Sequence, residues 1–151
     1  MSWNPDITVA AVVERDARFL IVEERIGGAL VFNQPAGHVE NNESVLAAII
    51  REMREETAWR FRPEALIGMY CWRQSHSQPD TLRFAICGSV SDHDALANLD
   101  PPVVANHWLT RAELQARQSQ LRTPLVLRCI DDYLAGQRGP LSSIADLRDL
   151  R

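Results

Sequence analysis

The sequence predicts an α/β fold in which a mixed sheet carries helices on its faces. Three observations predict it. Apolar, β-branched runs recur from the start of the chain into its second half. One helical segment is inserted among them, and two more follow near the end. The strict strand–helix alternation of a doubly wound fold is missing, as is any glycine-rich dinucleotide or P-loop signature. A chain of 151 residues, 46% hydrophobic and 24% charged, suits one domain with a single core. That domain is expected to span residues 1–151, with a loosely held, charged tail from Gly139 onward.

In order along the chain, residues 7–13 form a nearly continuous apolar run that reads as a buried strand. Glu14-Arg15-Asp16 turns the chain into a second strand at 18–23, and the pair is expected to form a hairpin. Gly27-Gly28 marks a loop before a short strand at 29–32, and Pro35 and Gly37 punctuate the approach to a helix. Asn42, Glu43 and Ser44 all offer start chemistry for that helix, which the pattern places at about 44–57. Strands are expected at 65–72 and 81–90, joined by a polar loop, and a short closing strand at 106–109. Thr110 caps a helix over 111–117, with Glu113 at the capping-box position. A last helix covers 124–134 and stops near Gly136.

The bulk numbers exclude several classes of function. A net charge of −4 is unsuited to nonspecific nucleic-acid binding, so no nucleic-acid partner is expected. No apolar run approaches the roughly 20 residues of a membrane span, and the N-terminal segment lacks the basic region of a secretory signal. The three cysteines show neither paired nor metal-type spacing and fit a reducing cytoplasm. All 16 basic residues are arginine, so lysine chemistry is excluded and any cationic side-chain contact to phosphate falls to arginine.

The chemistry concentrates at the middle helix. Glu52, Glu55 and Glu56 span roughly a 100° arc of it, next to an arc of Val45, Leu46, Ile49 and Met53. The acids therefore sit at the border of the apolar face, where a falling dielectric strengthens their mutual repulsion. Arg51 lies one turn before Glu55 and is placed to pair with it. Glu52 and Glu56, also one turn apart, repel by about 0.2–0.5 kcal/mol. Two readings follow: an ordinary solvated acidic face, or a set of oxygen donors for a hard divalent ion with a diphosphate-like anion behind it.

Gly37, Glu43, Arg51, Glu52, Met53, Glu55 and Glu56, with Trp59 at the final apolar position, match the Nudix box GX5EX7REUXEEXGU. Ala58 is its one departure, standing where the pattern has the glycine that ends the helix; a different C-terminal turn is expected there. Asn33-Gln34-Pro35-Ala36 before the box resembles the NudJ-type phosphatase branch of the Nudix superfamily, as do Leu82-Arg83-Phe84, 121–126 and 136–138 after it. The resemblance implies a Nudix α/β/α sandwich and a phosphohydrolase dependent on Mg²⁺, with Mn²⁺ as a substitute. It also implies small-molecule substrates: nucleoside tri- and diphosphates and the pyrophosphates of thiamine and its hydroxymethylpyrimidine precursor, with orthophosphate released. Two alternatives stay open. One is a Nudix pyrophosphohydrolase of oxidised dNTP, ADP-ribose or dinucleoside polyphosphate; the other is a noncatalytic Nudix module that binds a nucleotide or a partner. A monomer and a homodimer are equally compatible with the sequence.

Carried over residue by residue, the family pattern makes Glu52, Glu55 and Glu56 metal ligands, joined by the Gly37 backbone carbonyl. Glu52 and Glu55 are the two candidates for the base that takes a proton from water, and Arg51 orients a glutamate. Glu43 either ties the loop to the helix or holds metal through water. Among candidate substrate contacts, Glu40 lines the metal site or is a solvated loop acid, and His38 bonds a phosphate or steadies its loop. Gln34, with Asn33, contacts substrate at the entrance or stabilises a turn. Trp72 stacks on a ring or packs at a strand end, and Arg83 binds a phosphate. Trp3, Trp59 and Trp108 are expected to be packing residues. Asp92, Asp94 and Asp100 are available as a further acid from a later loop, with none singled out.

Overall fold

The protein is described here from a computed structural model that covers residues 2–148. Its strands are β1 (Asp6–Val12), β2 (Glu14–Arg15), β3 (Arg18–Ile26), β4 (Ala29–Asn33), β5 (Ala36–His38), β6 (Arg60–Trp72), β7 (Thr81–Ser91) and β8 (Val103–Thr110). Its helices are α1 (Val45–Thr57), α2 (Arg111–Ala116) and α3 (Leu125–Leu134). The strands divide between two sheets. One is mixed, in the order β5-β1-β7-β6, with β1 parallel to β7 and the other pairings antiparallel. In the other, β3 pairs antiparallel with β2, β4 and β8.

The mixed sheet is sandwiched because β1 and β7 alternate apolar residues to both faces, the pattern of a strand buried on two sides. Val9, Ala11 and Ile86 face α1, where they meet Ala48, Ile49 and Met53. Val12, Ala85 and Cys87 face the opposite way, toward Val126, Cys129 and Ile130 of α3. Ile49 and Met53 have no exposed surface, and burial of each stabilises the packing of α1 by about 1.5–3 kcal/mol. The expected α/β/α architecture is therefore present.

The expected hairpin between the first two strands is not formed. β1 and β3 belong to different sheets, and the true hairpin is the short one between β2 and β3, turned at Asp16 and Ala17 with both φ angles positive. The later strands are longer than their sequence patterns suggest. β6 begins at Arg60, and bulges between Pro63 and Ala65 and between Leu66 and Gly68 break the two-residue alternation that would have revealed it. Gly88 of β7 sits opposite Pro63 at this irregularity, and a Cβ there would collide with the Arg62 carbonyl and the Phe61 ring.

Ser44 is the N-cap of α1, its hydroxyl accepting from the Ala47 N–H at 3.0 Å. The helix closes on Ala58 at φ 60°, the left-handed conformation that glycine adopts without cost. The sequence departure at Ala58 thus leaves the turn unchanged: alanine adopts the strained conformation, and the Ala58 N–H donates to the Arg54 carbonyl at 2.9 Å. The Thr110–Glu113 capping box forms as expected at α2.

The tail is not loosely held over its described part, 139–148. Gly139 exchanges two backbone hydrogen bonds with Leu66, at 2.7 and 2.9 Å. Leu141 and Ile144 then pack on the α1 side of the core, which supplies the apolar contact that the charges of this segment obscure in the sequence. Residues 149–151 lie outside the described residues. Trp59 and Trp108 pack edge to face with centroids 6.5 Å apart, whereas Trp3 is 65% exposed and donates its Nε1–H to Asp80. Trp3 is thus no core residue.

The strain at Ala58 yields a stability prediction. Ala58→Gly relieves a left-handed alanine at the expense of unfolded-chain entropy and one buried methyl. The net effect expected in urea unfolding is a gain of about 0.5–1 kcal/mol. A lower midpoint would show that the Ala58 methyl matters more than the strain.

Candidate active site

The two sheets and the N-terminal approach to α1 enclose a cleft of about 580 Å³. Gly37, Glu52, Glu55 and Glu56 lie on one side of it, and Glu24, Asn33, Trp72 and Arg83 also line it. The sequence-predicted acids thus share a single cavity with residues distant in the chain.

Arg51 organises the acidic side. An arginine has five N–H donors in a fixed fork, and here all five are used. Nε and Nη2 grip the Glu43 carboxylate at 2.7 and 2.9 Å. Nη1 donates to Glu52 at 2.9 Å and to Glu55 at 3.0 Å, and Nη2 donates again to the His38 carbonyl at 3.0 Å. The predicted pairing of Arg51 with Glu55 is therefore present within a larger network. Glu43 also accepts from the Glu40 N–H at 3.1 Å, which makes it the tie between loop and helix. Hydrogen bonds from Arg51 hold the Glu43 carboxyl below its ordinary pKa.

Glu52 and Glu56 respond differently, because they are drier. Burial raises the Glu52 pKa despite its contact with Arg51. Glu56 is 7% exposed, and its Oε1 accepts from the Ala36 N–H at 2.8 Å. Burial, aided by the neighbouring Glu52 and Glu24, pushes it up to about 9. A buried carboxylate so disfavoured as an anion is one whose charged form a nearby cation would stabilise strongly. Gly37 is fixed by the same packing. A Cβ on it would overlap the Glu52 carboxylate, so only glycine lets the loop backbone lie against that group.

The donor set is all oxygen, carboxylates with backbone carbonyls beside them, and it suits a hard divalent ion such as Mg²⁺ or Mn²⁺. Among the described residues no three acids are already gathered about one point. Arg51 stands between Glu52 and Glu55 and supplies the cationic charge that they share.

The candidate substrate contacts divide. Trp72, half-buried, and His38 and Glu40, both exposed, line the cleft. His38 faces Asp6, with Nε2 3.7 Å from its carboxylate, and Glu40 stands 3.6 Å from Arg51. Arg83 lines the cleft but is only 6% exposed; its Nε donates to the Thr8 hydroxyl at 3.4 Å, and its Nη1 has no partner. Gln34 is not at the entrance. It is 1% exposed, and its amide donates to the Val126 carbonyl of α3 at 3.3 Å. A polar residue before Pro35 reads as a loop contact, but the short β4–β5 link turns it inward to tie the loop to α3. Of the later acids, Asp100 lines the cleft and its N–H donates to the Glu55 carbonyl at 2.9 Å, whereas Asp92 and Asp94 do not line it.

Two cleft residues went unnoticed in the sequence. Glu24 is 2% exposed, and its Oε2 accepts from Arg122 Nη1 at 2.8 Å across 98 residues. In the sequence Glu24 belongs to the polar end of β3, after four consecutive buried residues, and nothing local marks its pairing with Arg122.

Comparisons with known proteins agree with this geometry. The NUDIX domain family model matches residues 4–128. Phosphatase NudJ of Shigella boydii and of Escherichia coli K12 are each 37% identical over 144 residues, covering 95% of this chain and 93% of theirs. A Nudix hydrolase structure from Nitrosomonas europaea superposes with a TM-score of 0.92 at 44% identity, covering 95% of this chain and 97% of the other.

Arg51→Met would leave three acids without their shared cation. It is expected to cost roughly 2–4 kcal/mol in metal-free thermal unfolding, with part of the loss recovered on adding Mg²⁺. A variant as stable as the parent would show that the network contributes nothing to the fold.

Proposed function

This chain belongs to the Nudix domain family and is a hydrolase of phosphoanhydrides; we propose that it is a Mg²⁺-dependent phosphatase of nucleoside tri- and diphosphates and of thiamine-type pyrophosphates, releasing orthophosphate. The single observation that carries the reading is the Arg51 network, which sets Glu52 and Glu55 side by side at the mouth of a cleft with Glu56 behind them. The whole-length likeness to proteins named phosphatases supports the choice of orthophosphate as product. The reading places the enzyme in the cytoplasm, acting on small molecules as a monomer or homodimer without membrane or nucleic-acid partners.

Glu52, Glu55 and Glu56, with the Gly37 carbonyl, would hold the cation. When bound, Mg²⁺ or Mn²⁺ supplies charge neutralisation and polarisation of the phosphoryl group. The protein's own groups do the rest. Arg51 fixes two of the carboxylates, so no reorganisation is needed as charge develops. Glu52 or Glu55 takes a proton from a water whose oxygen bonds to the terminal phosphorus. The bond from that phosphorus to the bridging oxygen breaks, and the shortened phosphate leaves with the electron pair. Trp72 offers a face on which a ring can stack, and Glu43 keeps the loop bearing Gly37 against the helix.

Glu55→Gln and Glu56→Gln are each expected to lower kcat by about 10²–10⁴-fold while the circular dichroism spectrum is retained. Undiminished phosphate release in both variants would reject the site. Products separate the substrate readings. Orthophosphate from both tri- and diphosphates supports this one, whereas pyrophosphate with a monophosphate favours a housecleaning or signalling-nucleotide pyrophosphohydrolase. No Mg²⁺-dependent release from a broad panel would leave a binding module.

A further inference from the structure

Three buried polar atoms on residues that line the cleft have no protein partner: Glu24 Oε1, Asn33 Oδ1 and Arg83 Nη1. Their residues are 2%, 3% and 6% exposed, and all three line the same cleft. Satisfied buried polar groups are the rule, so these three atoms have hydrogen-bonding capacity that a ligand in the cleft can use. The network chemistry in the Arg51 region uses none of them.

Their types narrow the ligand. Two are acceptors and one is a charged donor. An anion would suit Arg83 alone, but the Glu24 carboxylate lies within electrostatic reach of it and the Asn33 carbonyl oxygen shares the cleft; both would repel a phosphate. A neutral ring edge with an amino group beside a ring nitrogen has two N–H donors and one acceptor, the reverse of what the cleft displays. Trp72, on the same cleft, provides the apolar face that a flat ring requires.

We propose that Glu24, Asn33 and Arg83 form the specificity pocket of this enzyme, reading the amino–imine edge of an aminopyrimidine or aminopurine, with Trp72 stacking on the ring. Glu24 and Asn33 accept from the exocyclic amine, and Arg83 donates to the ring nitrogen. An oxo ring, with a carbonyl and an N–H on that edge, sets oxygen against the Glu24 carboxylate and N–H against the guanidinium. Arg122 positions Glu24 through its other oxygen. The proposal rests on the reading of the chain as a hydrolase of nucleotide-like pyrophosphates, and it adds which heterocycles the cleft accepts.

The test compares rings that differ on this edge alone. CMP and UMP are titrated calorimetrically into metal-free enzyme, and CDP and UDP are compared as substrates with Mg²⁺. The wild type is expected to favour the cytosine member at least tenfold, on the scale of one hydrogen bond to a charged group. Glu24→Gln should reduce the CDP/UDP ratio of kcat/KM by about tenfold, because the loss falls more heavily on CDP than on UDP. The wild-type comparison stands even if that variant does not fold. Equal affinity for CMP and UMP, or an equal loss on CDP and UDP in Glu24→Gln, overturns the proposal. A CMP preference without hydrolysis of any diphosphate supports the pocket and counts against the hydrolase reading instead.

Discussion

One guanidinium holds this site together. Arg51 spends all five donors on Glu43, Glu52, Glu55 and the His38 carbonyl, joining the loop before the helix to the helix itself. Without that charge, the acids at the edge of α1 would repel one another in a partly dry environment. With it, the loop bearing Gly37 is drawn so closely against Glu52 that a side chain at position 37 would have to displace the Glu52 carboxylate. The glycine, the first glutamate and the arginine are therefore parts of one mechanical unit, and their fixed spacing in the sequence is the spacing that this unit needs.

The rest of the fold positions that unit against a second surface. α1 is anchored by Ile49 and Met53 on one face of the mixed sheet, while α3 covers the other. The antiparallel sheet carries Glu24 and Asn33 to the cleft, and the mixed sheet carries Trp72 and Arg83. In the proposed reading, the acidic side of the cleft performs hydrolysis and the mixed polar side meets the remainder of the substrate. Glu56 lies between the two, deeply buried and electrostatically coupled to Glu52 and Glu24.

What the sequence made legible was what local geometry encodes. Glu52, Glu55 and Glu56 lie within two turns, so helical periodicity alone groups them, and the Ser44 cap and the Thr110–Glu113 box follow from short-range hydrogen bonding. What it concealed depends on distant contacts. The Glu24–Arg122 pair spans 98 residues, and Gln34 turns inward only because α3 presents the Val126 carbonyl. The β1–β3 hairpin failed because adjacent strands can enter different sheets, and the 139–148 segment docks through backbone pairing with Leu66 that its composition does not signal. At Ala58 the departure from the family pattern left the turn intact, since alanine itself adopts the left-handed conformation and keeps the capping bond to the Arg54 carbonyl.

The central claim is that the Arg51-held carboxylates direct water to the terminal phosphorus of a phosphoanhydride. Hydrolysis of a nucleoside diphosphate in ¹⁸O-enriched water with Mg²⁺, followed by mass spectrometry of both products, tests it most directly. The label is predicted in orthophosphate. Label in the nucleoside monophosphate would place the attack on the inner phosphorus and contradict the account.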